Sequence, residues 1–198
     1  AVCTPPLTMQ NSTFSSGLAL ASTLLLAALP AQAQQLVPAQ SSVEFTAKQM
    51  GVPLQGHFKK FDAQVTFDPT KLAASRIRFT VDTGSATMGA RETDAELPKA
   101  PWFNVPQFPQ ATFESTAIKA LGGGKFDVAG KLTIKGAAVN VSVPVTLVQS
   151  GATTTATGSL PIKRLAFKIG DGEWADTSMV ADEVQVKFKL ALTGVGKL

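Results

Sequence analysis

Apolar and polar residues alternate with a period of two along most of this chain. Val43, Phe45 and Ala47 alternate with Glu44, Thr46 and Lys48, and Val52, Leu54, Gly56 and Phe58 alternate partly with Gln55, His57 and Lys59. Ala63, Val65 and Phe67 follow, and then Ile77, Phe79 and Val81 are set against Arg76, Arg78, Thr80 and Asp82. Successive side chains of a β-strand point to opposite faces, so each run predicts a strand with one dry face and one wet face. The pattern resumes at residues 113–118 and, past Gly122-Gly123-Gly124, at Phe126, Val128, Gly130, Leu132 and Ile134. Beyond Gly136 lies the longest run, with Val139, Val141, Val143, Val145 and Leu147 on one face. Residues 153–162 follow it, and Val184, Val186, Phe188, Leu190 and Leu192 end the series.

One stretch breaks the alternation. Residues 90–97 are helix-forming and are bounded downstream by Pro98 and Pro101, which predicts a single short helix. At least eight strands joined by short turns, each with one buried face, predict an all-β fold: a closed eight-stranded antiparallel β-barrel with one short helix, a sandwich being the alternative. Closure removes the exposed edges that a long Val-rich sheet would otherwise present. A barrel of eight strands is wide enough to be filled by its own side chains or to hold one small ligand, and composition alone leaves both open.

The chain divides in two by charge. No Lys, Arg, Asp or Glu occurs in residues 1–33, so the net charge of +4 belongs wholly to residues 34–198. An apolar run from Leu18 to Leu29, followed by Pro30 and by small residues at Ala31 and Ala33, has the form of a secretory signal peptide, although no positive charge precedes it. Residues 1–33 are therefore read as a leader that is removed, with a disordered apolar tail as the alternative. The mature N-terminus would be Gln34, and the destination an exported, periplasmic one. The sole cysteine, Cys3, lies inside the leader, so the remainder needs no disulfide. Residues 34–198 suffice for one domain with a sizeable core. Tyrosine is absent while phenylalanine occurs 12 times, which favours a dry interior.

Several chemistries are poorly provided for. With His57 the only histidine, zinc triads and two-histidine iron sites cannot be built, and its phase places it on the wet face. No G-x-S-x-G elbow or phosphate-binding glycine loop occurs, and Gly122-Gly123-Gly124-Lys125 reads as a hairpin turn. Two acidic clusters, Glu92/Asp94/Glu96 and Asp171/Glu173/Asp176, are read as solvated faces rather than metal sites. The lysines are dispersed, with no basic run and no stacking-aromatic motif, so nucleic acid is not an expected partner. Catalytic and metal-ligating residues are expected to be absent.

The most specific stretch runs from Trp102 to Ser115 and contains Trp102-Phe103-Asn104, Pro109 and Phe113-Glu114-Ser115; Gly130-Lys131-Leu132-Thr133-Ile134-Lys135-Gly136 follows. Together with Phe67-Asp68-Pro69, Asp94-x-x-Leu97 and the segment from Leu165 to Gly170, these blocks resemble the YceI-like family of periplasmic lipid-binding proteins. The likeness spans nearly all of residues 34–198. Glu96 departs from it, standing where many members carry histidine, and so does Lys168. The resemblance implies a lipocalin-like barrel, no enzymatic activity, and a long isoprenoid or fatty-acid-like lipid in the interior in place of a cofactor.

The residues proposed to line that interior are Phe45, Leu54, Phe58, Phe67, Phe79, Trp102, Phe103, Phe108, Phe113, Phe126, Leu132, Phe167 and Phe188. The leading reading is an exported carrier of an isoprenoid quinone, polyisoprenoid or similar amphiphile. Peripheral contact with a membrane or a membrane cytochrome, and a homodimer, are compatible with it. The competing readings are a structural or interaction protein with a side-chain-filled barrel, and a small enzyme acting on lipid through the Arg91 and Asp94 region.

Overall fold

In the computed structural model the described residues are 33–198, so the leader expected over residues 1–33 lies, apart from Ala33, outside them. The alternating runs form antiparallel strands: β1 (Gln35–Leu36), β2 (Ser42–Gln49), β3 (Val52–Phe58), β4 (Phe61–Thr66), β5 (Arg76–Asp82), β6 (Ala86–Thr87), β7 (Gln110–Gly122), β8 (Lys125–Ile134), β9 (Ala137–Ser150), β10 (Thr153–Lys163) and β11 (Glu183–Thr193). The helix expected at residues 90–97 is α1 (Arg91–Glu96). All eleven strands belong to one sheet, whose order is β4-β5-β7-β8-β9-β10-β11-β2-β3-β6, with β1 added on β11.

The fold is all-β with one short helix, but the expected closed eight-stranded barrel does not form. The sheet is strongly curled and open, its path ending at β4 on one side and β6 on the other. The reason lies in the bend between β3 and β4. There the Lys59 N–H donates to the Ser85 carbonyl at 3.1 Å and the Asp82 N–H donates to the Lys60 carbonyl at 3.0 Å. Backbone groups that a closed ladder would pair strand to strand are satisfied by the end of β5 at Asp82 and by the tight turn that follows it, Thr83–Ser85. The edge at β4 is partly covered by Gln34, which bridges Val65. The Gln34 side-chain amide accepts from the Phe67 N–H at 2.9 Å and donates to the Phe67 carbonyl at 2.5 Å, standing in for a missing strand.

Three hairpins turn on left-handed residue pairs, one of them Gly123 (φ 61°) and Gly124 (φ 75°) between β7 and β8. Met50 (φ 49°) and Gly51 (φ 80°) link β2 to β3, and Lys135 (φ 49°) and Gly136 (φ 75°) link β8 to β9. Positive φ at both central residues matches the right-handed twist of the flanking strands. Buried apolar residues gather in two groups inside the curl. Phe67, Ile118, Phe126 and Val128 form one, with Phe67 and Phe126 edge to face at 5.3 Å; Ile134, Ile162, Phe167 and Ile169 form the other. Among the described residues no helix is long and apolar enough to cross a membrane.

Candidate functional site

Between those two groups the concave face of the sheet encloses a cavity of about 590 Å³. Strand phase explains its walls. β10 contributes Ala156, Leu160 and Ile162, and β11 contributes Val184, Val186, Phe188, Leu190 and Leu192. Among the lining residues Lys48, Gln49, Glu92 and Glu96 are exposed, so the cavity reaches solvent between the end of β2 and α1. Glu92, Thr93, Glu96 and Leu97 line it from one face of the helix, as i, i+4 spacing requires.

Glycines keep the slot open. Phe45 faces Gly56 across β2 and β3, and Phe188 faces Gly158 across β10 and β11. Phe113 likewise reaches over Gly130, whose Cβ, were there one, would lie 2.5 Å from the Phe113 Cζ. Each ring lies along the wall over a residue with no side chain, so its bulk covers backbone instead of filling the lumen.

The loops at the open end are anchored by two buried cations. Arg164, 1% exposed, directs every guanidinium N–H at a backbone carbonyl. Nε donates to Ala181 at 3.1 Å, Nη1 to Ile169 at 2.9 Å and Gly170 at 2.5 Å, and Nη2 to Trp174 at 2.8 Å and Val180 at 2.7 Å. Burial lowers its pKa, and the charge of Asp182 opposes that shift. The Lys135 ammonium donates to the Lys168 carbonyl at 2.6 Å and the Pro101 carbonyl at 3.3 Å, with Asp171 3.8 Å away. Burial lowers its pKa too, partly offset by Asp171. Trp102 and Trp174 meet here with ring centroids 5.6 Å apart, and both line the cavity.

The helix is held by Asp94, which accepts the Met88 N–H at 2.6 Å and the Thr87 hydroxyl at 2.5 Å. Those hydrogen bonds, the Met88 one foremost, draw the Asp94 carboxyl below its ordinary value.

Of the proposed lining residues, Phe45, Leu54, Phe58, Phe67, Phe79, Trp102, Phe103, Phe113, Phe126, Leu132 and Phe188 border the cavity. Phe108 and Phe167 do not. Phe108 follows two tight turns and packs on the hairpin tip, its Cε1 2.9 Å from where a Cβ on Gly136 would stand. Phe167 lies in a 3₁₀ turn, Arg164–Phe167, where strand phase no longer applies, and is buried against Ile134 and Ile162 without bordering the cavity. His57 is exposed on the outer face. Glu92 and Glu96 border the opening while the Asp176 carboxylate holds Ser178, and among the described residues no three of His, Cys, Asp and Glu could share a metal ion.

Sequence reasoning missed Arg164 and Thr154. Thr154 falls on the inward phase of β10, with Ala156, Leu160 and Ile162, and that phase was the available signal; Arg164 opens the 3₁₀ turn just past the strand, where phase gave none. Thr154, 1% exposed, accepts from Gln149 Nε2 at 3.2 Å where β9 and β10 meet their turn.

A curled antiparallel sheet around one apolar slot, with charged residues confined to its open end, defines a small β-protein with room for a hydrophobic guest. The chain belongs to the YceI-like domain family, whose model matches residues 34–192. It is 41% identical over 106 residues to a UPF0312 protein of Yersinia pestis, and 40% identical over 106 residues to Protein YceI of Salmonella arizonae. Each match covers 53% of both chains, so the chain spans about half the length of the curated relatives it matches. Among solved structures, Burkholderia cenocepacia BcnA is 52% identical with a TM-score of 0.76, covering 79% of this chain and 98% of that one. A polyisoprenoid binding domain from Saccharophagus degradans shares the fold at 16% identity and a TM-score of 0.67, covering 81% and 98% of the two chains.

Proposed function

We propose that this protein is a non-enzymatic carrier that takes one long apolar amphiphile, an isoprenoid quinone, a polyisoprenoid or a comparable lipid, into the slot beneath α1. The observation that carries the reading is the 590 Å³ cavity, apolar along its walls and bordered by charged residues only toward the open end. At roughly 30 Å³ per water-sized group, that volume takes about 20 non-hydrogen atoms. Burying such a chain contributes about 0.8 kcal/mol per CH₂ before ordering costs, enough to hold a guest by its tail alone. Longer isoprenoids would leave their remaining units at the opening, beside Trp102 and Trp174. The walls select girth and hydrophobicity, so several lipids of similar width should compete.

The polyisoprenoid binding domain among the structural neighbours supports this choice of ligand class. Family membership and the form of residues 1–33 support export to the periplasm. Organic extraction of the purified protein followed by mass spectrometry tests the reading, which predicts one lipid per chain. Extracts empty of lipid, together with no uptake of added isoprenoid, would favour a protein acting through its outer surface.

A further inference from the structure

Three large apolar side chains project into solvent beside the opening: Met50 is 64% exposed, Val52 58% and Met179 43%. Met50 and Val52 flank one turn, and Met179, far along the chain, is held beside them by backbone pairing. The Met50 N–H donates to the Met179 carbonyl at 2.8 Å, the Ala181 N–H donates to the Lys48 carbonyl at 2.9 Å, and Gln49 bridges Val180 between them. Lys48, Gln49 and Val180, the immediate neighbours of the exposed methionines, line the cavity. The apolar lip is thus continuous with the slot.

Turn chemistry argues against an accidental exposure. Met50 has φ 49°, in a two-residue turn with Gly51, where asparagine, aspartate or glycine is favoured and would also suit water. A methionine there accepts backbone strain and leaves an unbranched apolar side chain pointing outward. Leu121, Val148 and Leu198 are also exposed, but they lie at the opposite end of the sheet, beside the turns that close it.

We infer that Met50, Val52 and Met179 form a lip that docks on a lipid bilayer and brings the cavity opening against the membrane; this rests on the carrier reading above. The size of the patch favours a bilayer over a protein. A stable protein interface uses roughly 20 to 30 residues a side, far more than three side chains. Insertion into lipid has no such minimum, since each apolar side chain that leaves water contributes by itself. Lys48, exposed at the same tip, can lay its stem along the lipid and keep its ammonium at the phosphates.

The test compares the wild-type protein with the triple variant Met50→Asn, Val52→Thr, Met179→Gln, in which asparagine suits the left-handed turn. Flotation with phosphatidylcholine vesicles is read first. The wild type is expected to float with the vesicles and the variant to lose binding at least about tenfold, with an unchanged unfolding midpoint. A second measurement follows uptake of a fluorescent C20 isoprenoid alcohol, presented either in those vesicles or dispersed from ethanol. The variant should take up the vesicle-borne probe at least about tenfold more slowly and the dispersed probe to the wild-type extent. A wild-type protein that does not float, or a variant that floats equally well, overturns the lip. So does a wild-type dimer in gel filtration that the variant loses without any vesicle binding, which would make a second copy the occupant. Failure of the wild type to take up the dispersed probe defeats the carrier reading separately, since flotation does not depend on the cavity.

Discussion

The ring of Phe188 occupies the space that a side chain at Gly158 would need: its Cε1 stands 2.8 Å from the position of a Cβ there, and the Pro144 carbonyl oxygen 2.7 Å from it. Gly158 and Phe188 are direct partners in the ladder between β10 and β11. Phe45 and Gly56 repeat the arrangement between β2 and β3. The hollow of this protein therefore depends on which residues face its phenylalanines as much as on the phenylalanines themselves.

Gly56→Ala tests that dependence, because the three atoms nearest a Cβ at Gly56 all belong to the Phe45 ring. The ring must swing inward, so the variant should lose about 1–3 kcal/mol and bind less lipid. Phe45→Leu in the same chain should restore part of the stability. A double-mutant cycle by urea denaturation checks it, and additive losses would show that ring and glycine are not coupled.

Arg164→Met removes a buried cation and leaves the carbonyls of Ile169, Gly170, Trp174, Val180 and Ala181 without their donor. The expected loss is at least about 3 kcal/mol. Arg164→Lys, with three donors, should lose less. Hydrogen exchange over residues 165–182 should quicken ahead of the strands, since that segment is what the guanidinium holds.

Acid should loosen the hold on α1. The Asp94 carboxyl sits below the ordinary aspartate value of 3.8 because it accepts two hydrogen bonds, so the folded state binds its proton less readily than the unfolded chain does. Its contribution to stability is complete above that value and is lost as pH falls through the lowered folded pKa. Carboxyl NMR titration should find Asp94 below 3.8, and Asp94→Asn should flatten the acid limb of the pH–stability curve.

Ala156 lies on the inward row of β10 and faces the slot. Ala156→Leu should fill empty space, leaving the lipid-free protein unchanged or up to about 2 kcal/mol more stable while lowering its lipid load. A fall in stability instead would mean that the space at Ala156 is already packed. Thermal unfolding and extractable lipid, measured on the same preparation, decide between them.

Much of the wall was legible in the sequence because period two is enforced locally: a strand with one wet face must alternate, and Val184 to Leu190 did so without interruption. Residues 90–97 broke the alternation, and α1 forms there. The lining assignments that failed, Phe108 and Phe167, both lie where turns replace strand, so their phase carried no information. Tertiary structure decided the rest. Whether the sheet closed depended on how Lys59 and Lys60 were satisfied, and their partners, Ser85 and Asp82, come from more than twenty residues away. Nothing in the spacing around Arg164 marked it out. It became a buried anchor only because the following loop folds back to present five carbonyls. Alternation tells which side chains face inward; whether they meet in the middle is set by curvature and by the glycines opposite the rings, which is why the pattern left a filled and a hollow interior both open and the packing decided between them.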